Sequence, residues 1–220
     1  MRIGLIGAGR IGGNCARQAV KGGHEVMLSF ARDPSKLERL ASDLGDRVSR
    51  GTVADAVAFG ELVILSVPWG VIPEALAQAG ALDAKVVIDT TNQFGPGPKP
   101  KPGQTAAAFN AQRMPGARYV KSFNTLTSQF QAQAAERRGE EKVVQWICGD
   151  DPEAKEQTAR LIEDMGYVPV DLGGTETCQI MEAPRRPGAV YGEEYRPADA
   201  RAVVDALTNG TEIPPPPRHT

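Results

Sequence analysis

The stretch MRIGLIGAGRIGGNCA, Met1–Ala16, decides the fold. Arg2–Ile6 reads as a short apolar strand. Gly7-Ala8-Gly9-Arg10-Ile11-Gly12 is a G-x-G-x-x-G loop, and Gly13–Val20 continues as a helix. Each glycine has a physical task. Gly7 lets the chain turn sharply out of the strand, Gly9 removes a side chain where a pyrophosphate must approach the backbone, and Gly12 lets the helix pack close to the sheet. The N–H groups at the helix start then face the phosphates, helped by the helix dipole. The strand before the loop and the helix after it supply the context that the bare motif lacks.

Outward from this unit the pattern repeats. Gly22-Gly23 ends the first helix and His24–Ser29, HEVMLS, begins a second strand. A site that prefers NAD places Asp or Glu at that strand's tip, about 20 residues after the loop, to bind the ribose 2′-hydroxyl. Here the tip reads Ser29-Phe30-Ala31-Arg32. A hydroxyl and a guanidinium replace the carboxylate, and Arg32 can make bidentate bonds to a 2′-phosphate, so the expected cofactor is NADP(H). Asp33 is read as the cap of a helix opening at Pro34, and Ser35 and Lys36 could add phosphate contacts. Leu62–Val67, LVILSV, is the continuous apolar run of a central parallel strand. It ends in Pro68-Trp69-Gly70 on the carboxyl edge of the sheet, which makes Val67, Pro68 and Trp69 candidates for the cofactor wall.

Lys85–Asp89 and Arg118–Phe123 read as further strands, ending in Thr90-Thr91-Asn92 and Asn124-Thr125-Leu126-Thr127 on the same edge. Between them QFGPGPKPKPGQ, Gln93–Gln104, is too rich in Pro and Gly for regular structure and forms either a flap or a connector. Val143–Cys148 and Tyr167–Asp171 are the last strands, and Pro169 suits an edge position. About eight strands alternating with helices give an α/β, Rossmann-type doubly wound, mostly parallel sheet over residues 1–172. Residues 173–220 are a small C-terminal extension: a short helix at Thr175–Ala183, an irregular arm at Arg185–Pro197, a helix at Ala198–Leu207, and an extended proline run at Pro214–Pro217 expected to be disordered.

Composition bounds the rest. The 220 residues are 41% hydrophobic and 24% charged, which suits one globular domain with an extension. The net charge of −2 carries no basic excess for nucleic acid. No apolar run reaches the roughly 18–20 residues that span a bilayer, and no signal peptide is visible. Cys15, Cys148 and Cys178 form neither a disulfide framework nor a metal pattern, so a reducing cytoplasm is expected. Cys15 and Cys148 are read as packing residues, Cys178 as an exposed thiol, and His24 as a surface residue. With histidines only at positions 24 and 219, no clear general acid stands at the sheet edge. That favours hydride transfer to an acceptor needing little acid–base help, such as a flavin or deazaflavin. The alternatives are a small carbonyl or imine with Tyr191, Tyr195 or Lys121 as proton donor, and a non-catalytic NADP-binding module.

Four segments together carry a resemblance: IGLIGAGRIGG (Ile3–Gly13), ILSVPW (Ile64–Trp69), VIDTTN (Val87–Asn92) and VKSFNT (Val120–Thr125). Over Met1–Leu172 the chain resembles the NADPH-dependent reductases of the deazaflavin coenzyme F-420, and it is similar to the nucleotide-binding domain of ferric and cupric membrane reductases. The resemblance implies a homodimeric oxidoreductase acting on NADP(H) and F-420 or a flavin. It implies that Gly7, Gly9, Arg10, Ile11 and Gly12 bind pyrophosphate and that Ser29 and Arg32 hold the 2′-phosphate. It further implies that Ser66, Val67, Pro68 and Trp69 line the ribose and nicotinamide, with Asn92 and Asn124 near the reacting rings. Two departures stand out. The tip of the second strand is one residue longer than the family's Ser-Arg pairing, and the Pro-rich loop and RRPGAVYGEEY (Arg185–Tyr195) can reshape the acceptor pocket.

Overall fold

Strand β4 (Leu62–Leu65) is buried along its whole length, as a strand covered by helices on both faces must be. It lies at the centre of an eight-stranded sheet in a computed structural model that describes residues 1–219. The other strands are β1 (Arg2–Ile6), β2 (Glu25–Ser29), β3 (Val48–Arg50), β5 (Val86–Asp89), β6 (Arg118–Lys121), β7 (Val144–Gly149) and β8 (Val168–Asp171). Their order across the sheet is β3-β2-β1-β4-β5-β6-β7-β8. This is a Rossmann-type doubly wound sheet, and its strand order reverses between β1 and β4, where such sheets bind their ligands.

The strands from β3 to β6 are all parallel. Strand β7 then runs antiparallel to β6, pairing Val120 with Gly149 and Lys121 with Cys148. Strand β8 is parallel to β7 and pairs with no other strand, which leaves Pro169 on an edge where its missing N–H costs nothing. The helices are α1 (Arg10–Lys21), α2 (Pro34–Leu44), α3 (Val53–Phe59), α4 (Ile72–Ala77), α5 (Ala106–Gln112), α6 (Ser128–Ala134), α7 (Pro152–Asp164) and α8 (Pro197–Asn209). Local chemistry starts several of them. Asp33 caps α2, Thr52 caps α3 in a capping box with Asp55, and Asp151 caps α7.

Two apolar cores lie on the two faces of the sheet. One gathers Leu5, Ile64, Ile88 and Val120 with α1 and α7, and the other gathers Leu65, Val87, Trp69 and Trp146 with the C-terminal extension. Three sequence expectations are corrected here. Cys178 is fully buried beside Cys148 in the second core, and burial pushes its thiol far up. His24 is buried, 3.2 Å from Asp164 Oδ2, and desolvation followed by the nearby amino terminus lowers its pKa. Between Gly173 and α8 the extension holds only a 3₁₀ turn, Thr177–Met181, in place of the expected short helix.

Beneath the carboxyl edge sits a buried ion pair. Asp89 and Lys121 are both fully buried, with Nζ 3.4 Å from Oδ2. Asp89 also accepts hydrogen bonds from Thr91 N (2.8 Å), Asn110 Nδ2 (2.8 Å) and Tyr119 OH (2.6 Å). Burial pushes the Asp89 carboxyl up, but Lys121, Tyr119 and Asn110 outweigh it and the net direction is down from 3.8. A carboxyl depressed in the fold stabilises it above its unfolded pKa, and that stability is lost as pH falls through the folded value. Asp89→Asn strands a buried ammonium, so urea denaturation should show a loss of about 3–5 kcal/mol. A loss below about 1 kcal/mol would mean that the pair is not coupled as the geometry indicates.

Candidate functional site

The contact that shapes the site is backbone on backbone. A Cβ added at Gly12 would lie 2.0 Å from the Gly7 carbonyl oxygen, so α1 meets β1 at a distance open only to glycine. Gly7 itself has φ +103° and faces the Ser66 carbonyl at the end of β4. Gly9 differs from both. A Cβ there would meet nothing within 4 Å, so the backbone stands bare to the cleft. Gly9 supplies no side-chain cap to α1, and the first turn of that helix holds no acidic residue. Its leading N–H groups are thus left for an anion. The cradle fits the pyrophosphate of a dinucleotide.

Around this cradle the cleft has three connected parts. A chamber of about 140 Å³ is lined by Gly7, Gly9, Phe30, Ala31, Arg32, Lys36 and Pro68. The chain leaves β2 through Phe30 in the left-handed region, φ 58°. A bulky residue there is strained by about 1–3 kcal/mol, a cost characteristic of binding sites. This turn takes up the extra residue at the strand tip and lets Arg32 line the chamber. Ser29 is not part of it. Its side chain is fully buried and its Oγ donates to Leu5 O at 2.9 Å, which corrects the expectation that it holds a phosphate. Asp33 also lines this chamber, and the bonds its Oδ1 accepts from Ser35 Oγ (2.8 Å) and Ser35 N (3.0 Å) hold its carboxyl below the ordinary value, so it keeps a negative charge that Arg32 and Lys36 must outweigh. A more open part of about 640 Å³ adds Arg10, Arg17 and Arg39 to the cationic wall.

The third part, about 590 Å³, extends from the glycine loop over β4, β5 and β6. It brings together Gly9, Arg10, Ile11, Ser66, Val67, Pro68, Trp69, Asn92 and Asn124 from the sequence-derived set. Phe94, Phe123, Leu126 and Tyr191 complete an apolar wall. Trp69 both packs and lines: it is 1% exposed, and its indole N–H donates to Pro98 O at 2.7 Å. That bond ties the Pro-rich loop down over the site. Asn92 Nδ2 donates to Asn124 O (2.8 Å), and Asn124 Nδ2 donates to Asn92 Oδ1 (3.1 Å) and Met181 O (2.6 Å). Asn124 Oδ1 is buried and has no partner among the described residues. An unpaired buried acceptor costs free energy, so this amide is held where it is by its other contacts.

The irregular arm, Arg185–Pro197, reaches the cleft through Tyr191. It packs on its own chain, with Val190 N donating to Ile180 O (2.8 Å) and Gly192 N donating to Thr125 O (2.9 Å). Tyr195 is buried edge-on against Trp146 at 5.2 Å, and Lys121 lies in the ion pair below, so neither lines the cleft. Tyr191 does, with its ring 6.3 Å from that of Phe94. Its spacing in the sequence carries no signal for this, because the arm's return to the cleft depends on contacts distant in the chain.

Comparison with known proteins follows this division. Residues 2–93 match the family described as NADP oxidoreductase coenzyme F420-dependent. The metalloreductase STEAP3 of Rattus norvegicus is 27% identical over 184 residues, which is 83% of this chain but 36% of that relative's length. Protein SMa0349 of Sinorhizobium meliloti superposes with a TM-score of 0.78 at 26% identity, covering 89% of this chain and 95% of that one. A candidate F420-dependent NADP reductase of Arthrobacter sp. FB24 superposes at 0.68, also with 26% identity, covering 81% and 87%. Over the segment from β1 to just beyond β5, residues 2–93, the chain is therefore similar to the coenzyme F420-dependent NADP oxidoreductases.

Proposed function

We propose that the protein binds NADP(H) across this cleft and exchanges a hydride with a flavin- or deazaflavin-type ring, coenzyme F-420 being the form favoured by the family match. The observation that carries the proposal is the make-up of the large chamber. Its ionisable lining residues are Arg10 and Tyr191; Trp69, Phe94, Phe123 and Leu126 share the rest of the wall with the two asparagines, Ser66, Thr90, Thr91 and Ser128. A ring acceptor brings its own electron-accepting and protonation chemistry, so such a site needs only to align flat surfaces and exclude water.

The cofactor supplies the hydride when bound. The chain's residues do the rest. The α1 N–H groups and Gly9 receive the pyrophosphate, Arg32 and Lys36 take the 2′-phosphate, and Pro68 and Trp69 back the ribose and nicotinamide. Asn92 and Asn124 line the chamber beside the nicotinamide.

A second reading rests on Tyr191. Its phenol is the one ionisable group at the apolar end of the chamber, and burial raises its pKa, which keeps the proton on it. As a general acid it would serve reduction of a small carbonyl or imine.

Two experiments follow. Gly9→Ala should leave thermal stability intact and weaken NADPH binding, whereas Gly12→Ala should lower stability, because its methyl meets a carbonyl. The reverse pattern would contradict the cradle. NADPH oxidation should then be followed with F-420, FMN, FAD and a small imine offered separately, for the native chain and Tyr191→Phe. Turnover with a ring acceptor that Tyr191→Phe keeps within about twofold is the expected result. Turnover of the imine that drops about 100-fold or more in the variant would establish the second reading instead.

A further inference from the structure

The C-terminal extension reaches the site through three consecutive residues. Met181 O accepts from Asn124 Nδ2 at 2.6 Å, and Ala183 N donates to Asn92 Oδ1 at 3.2 Å. The backbone on either side of Glu182 thus grips both cleft asparagines. The Glu182 side chain engages a different element. It is 4% exposed, and its two oxygens accept from Ala106 N (2.9 Å) and Ala107 N (2.7 Å) in the first turn of α5. Thr105 caps the same helix in the usual way, accepting from Ala108 N at 3.0 Å. Glu182 is therefore a second clamp on that turn, supplied from about 75 residues further along the chain. Hydrogen bonds to a buried carboxylate are charge-assisted and about twice as strong as neutral ones.

We propose that Glu182 is a positioning residue for the nicotinamide end of the cleft: it bolts residues 181–183 to α5 and so holds the Asn92–Asn124 pair in the chamber wall. The orientation of the two amides follows from the contacts. Asn124 Nδ2 is committed to Asn92 Oδ1 and Met181 O, and Asn92 Oδ1 also accepts from Ala183 N. Without the clamp, Met181 O and Ala183 N lose their fixed places, and the two amides that line the chamber are free to turn. The glycine cradle and the Arg32 chamber lie elsewhere and do not depend on Glu182. Its loss should therefore free the nicotinamide while the rest of the dinucleotide stays bound. The proposal rests on the reading that the cleft takes NADP(H).

The test needs no acceptor. NADPH is titrated into the full native chain, Glu182→Ala, Glu182→Gln and the remote helix-cap variant Asp151→Ala, and the emission of the bound reduced nicotinamide is recorded with the dissociation constant. The native chain and Asp151→Ala should show the enhanced, blue-shifted emission of an immobilised ring. Glu182→Ala should keep its dissociation constant within about threefold yet emit like free NADPH. Glu182→Gln keeps the shape but sets an NH₂ against one N–H donor; it should fall between, and it decides the matter if the alanine variant fails to fold. Native emission in the folded Glu182 variants, or free-like emission from NADPH bound to the native chain, would overturn the proposal. Failure of the native chain to bind NADPH at all would instead refute the cofactor reading and the proposal with it.

Discussion

The packing of the Gly7 carbonyl against the bare Cα of Gly12 sets the distance between β1 and α1. Much of the site is arranged from that distance. It aims the first turn of α1 over the carboxyl edge of the sheet, and it brings Gly7 against the Ser66 carbonyl at the end of β4. The reversal of strand order between β1 and β4 opens a crevice there, and the glycine junction gives that crevice a floor of backbone N–H groups.

Residues 1–172 and the C-terminal extension contribute different things. The first bring a glycine cradle, a helix start without a side-chain cap, and the cations around Arg32. The second places Tyr191 on the rim and residues 181–183 against the asparagines. The buried Asp89–Lys121 pair lies under both. Through Asn110, Asp89 reaches α5, and through Thr91 N it fixes the turn that carries Asn92. The family match ends at residue 93; the extension's contacts to Asn124 and α5 lie beyond it, and Ala183 N reaches back to Asn92 within it.

How much of this was legible in the sequence depended on the range of the interaction. Strand β4 declared itself as an unbroken apolar run, α2 through Asp33-Pro34, and the glycine cradle through three glycines in fixed spacing. These are local signals, each written within a few residues. The placement of Arg32 was legible because a strand tip faces the cleft whatever its neighbours are. Ser29 stands three residues earlier, inside the strand's last pleat, where its hydroxyl is spent on the neighbouring strand. The reversal of β7 was not legible, since a helix between two strands reads the same for either direction. Nor was the bond from Asn124 to Met181, 57 residues away, or the burial of Cys178, whose polar sequence neighbours hide its place in the core.

The central claim is that this cleft recognises a 2′-phosphorylated dinucleotide, and calorimetric titration of NADPH and NADH into the purified chain tests it most directly. With two cations, Arg32 and Lys36, against one carboxylate, Asp33, in the chamber proposed for the 2′-phosphate, NADPH should bind about tenfold tighter or more, and Arg32→Ala should remove most of that difference. Equal affinity for the two, unchanged by Arg32→Ala, would contradict the account.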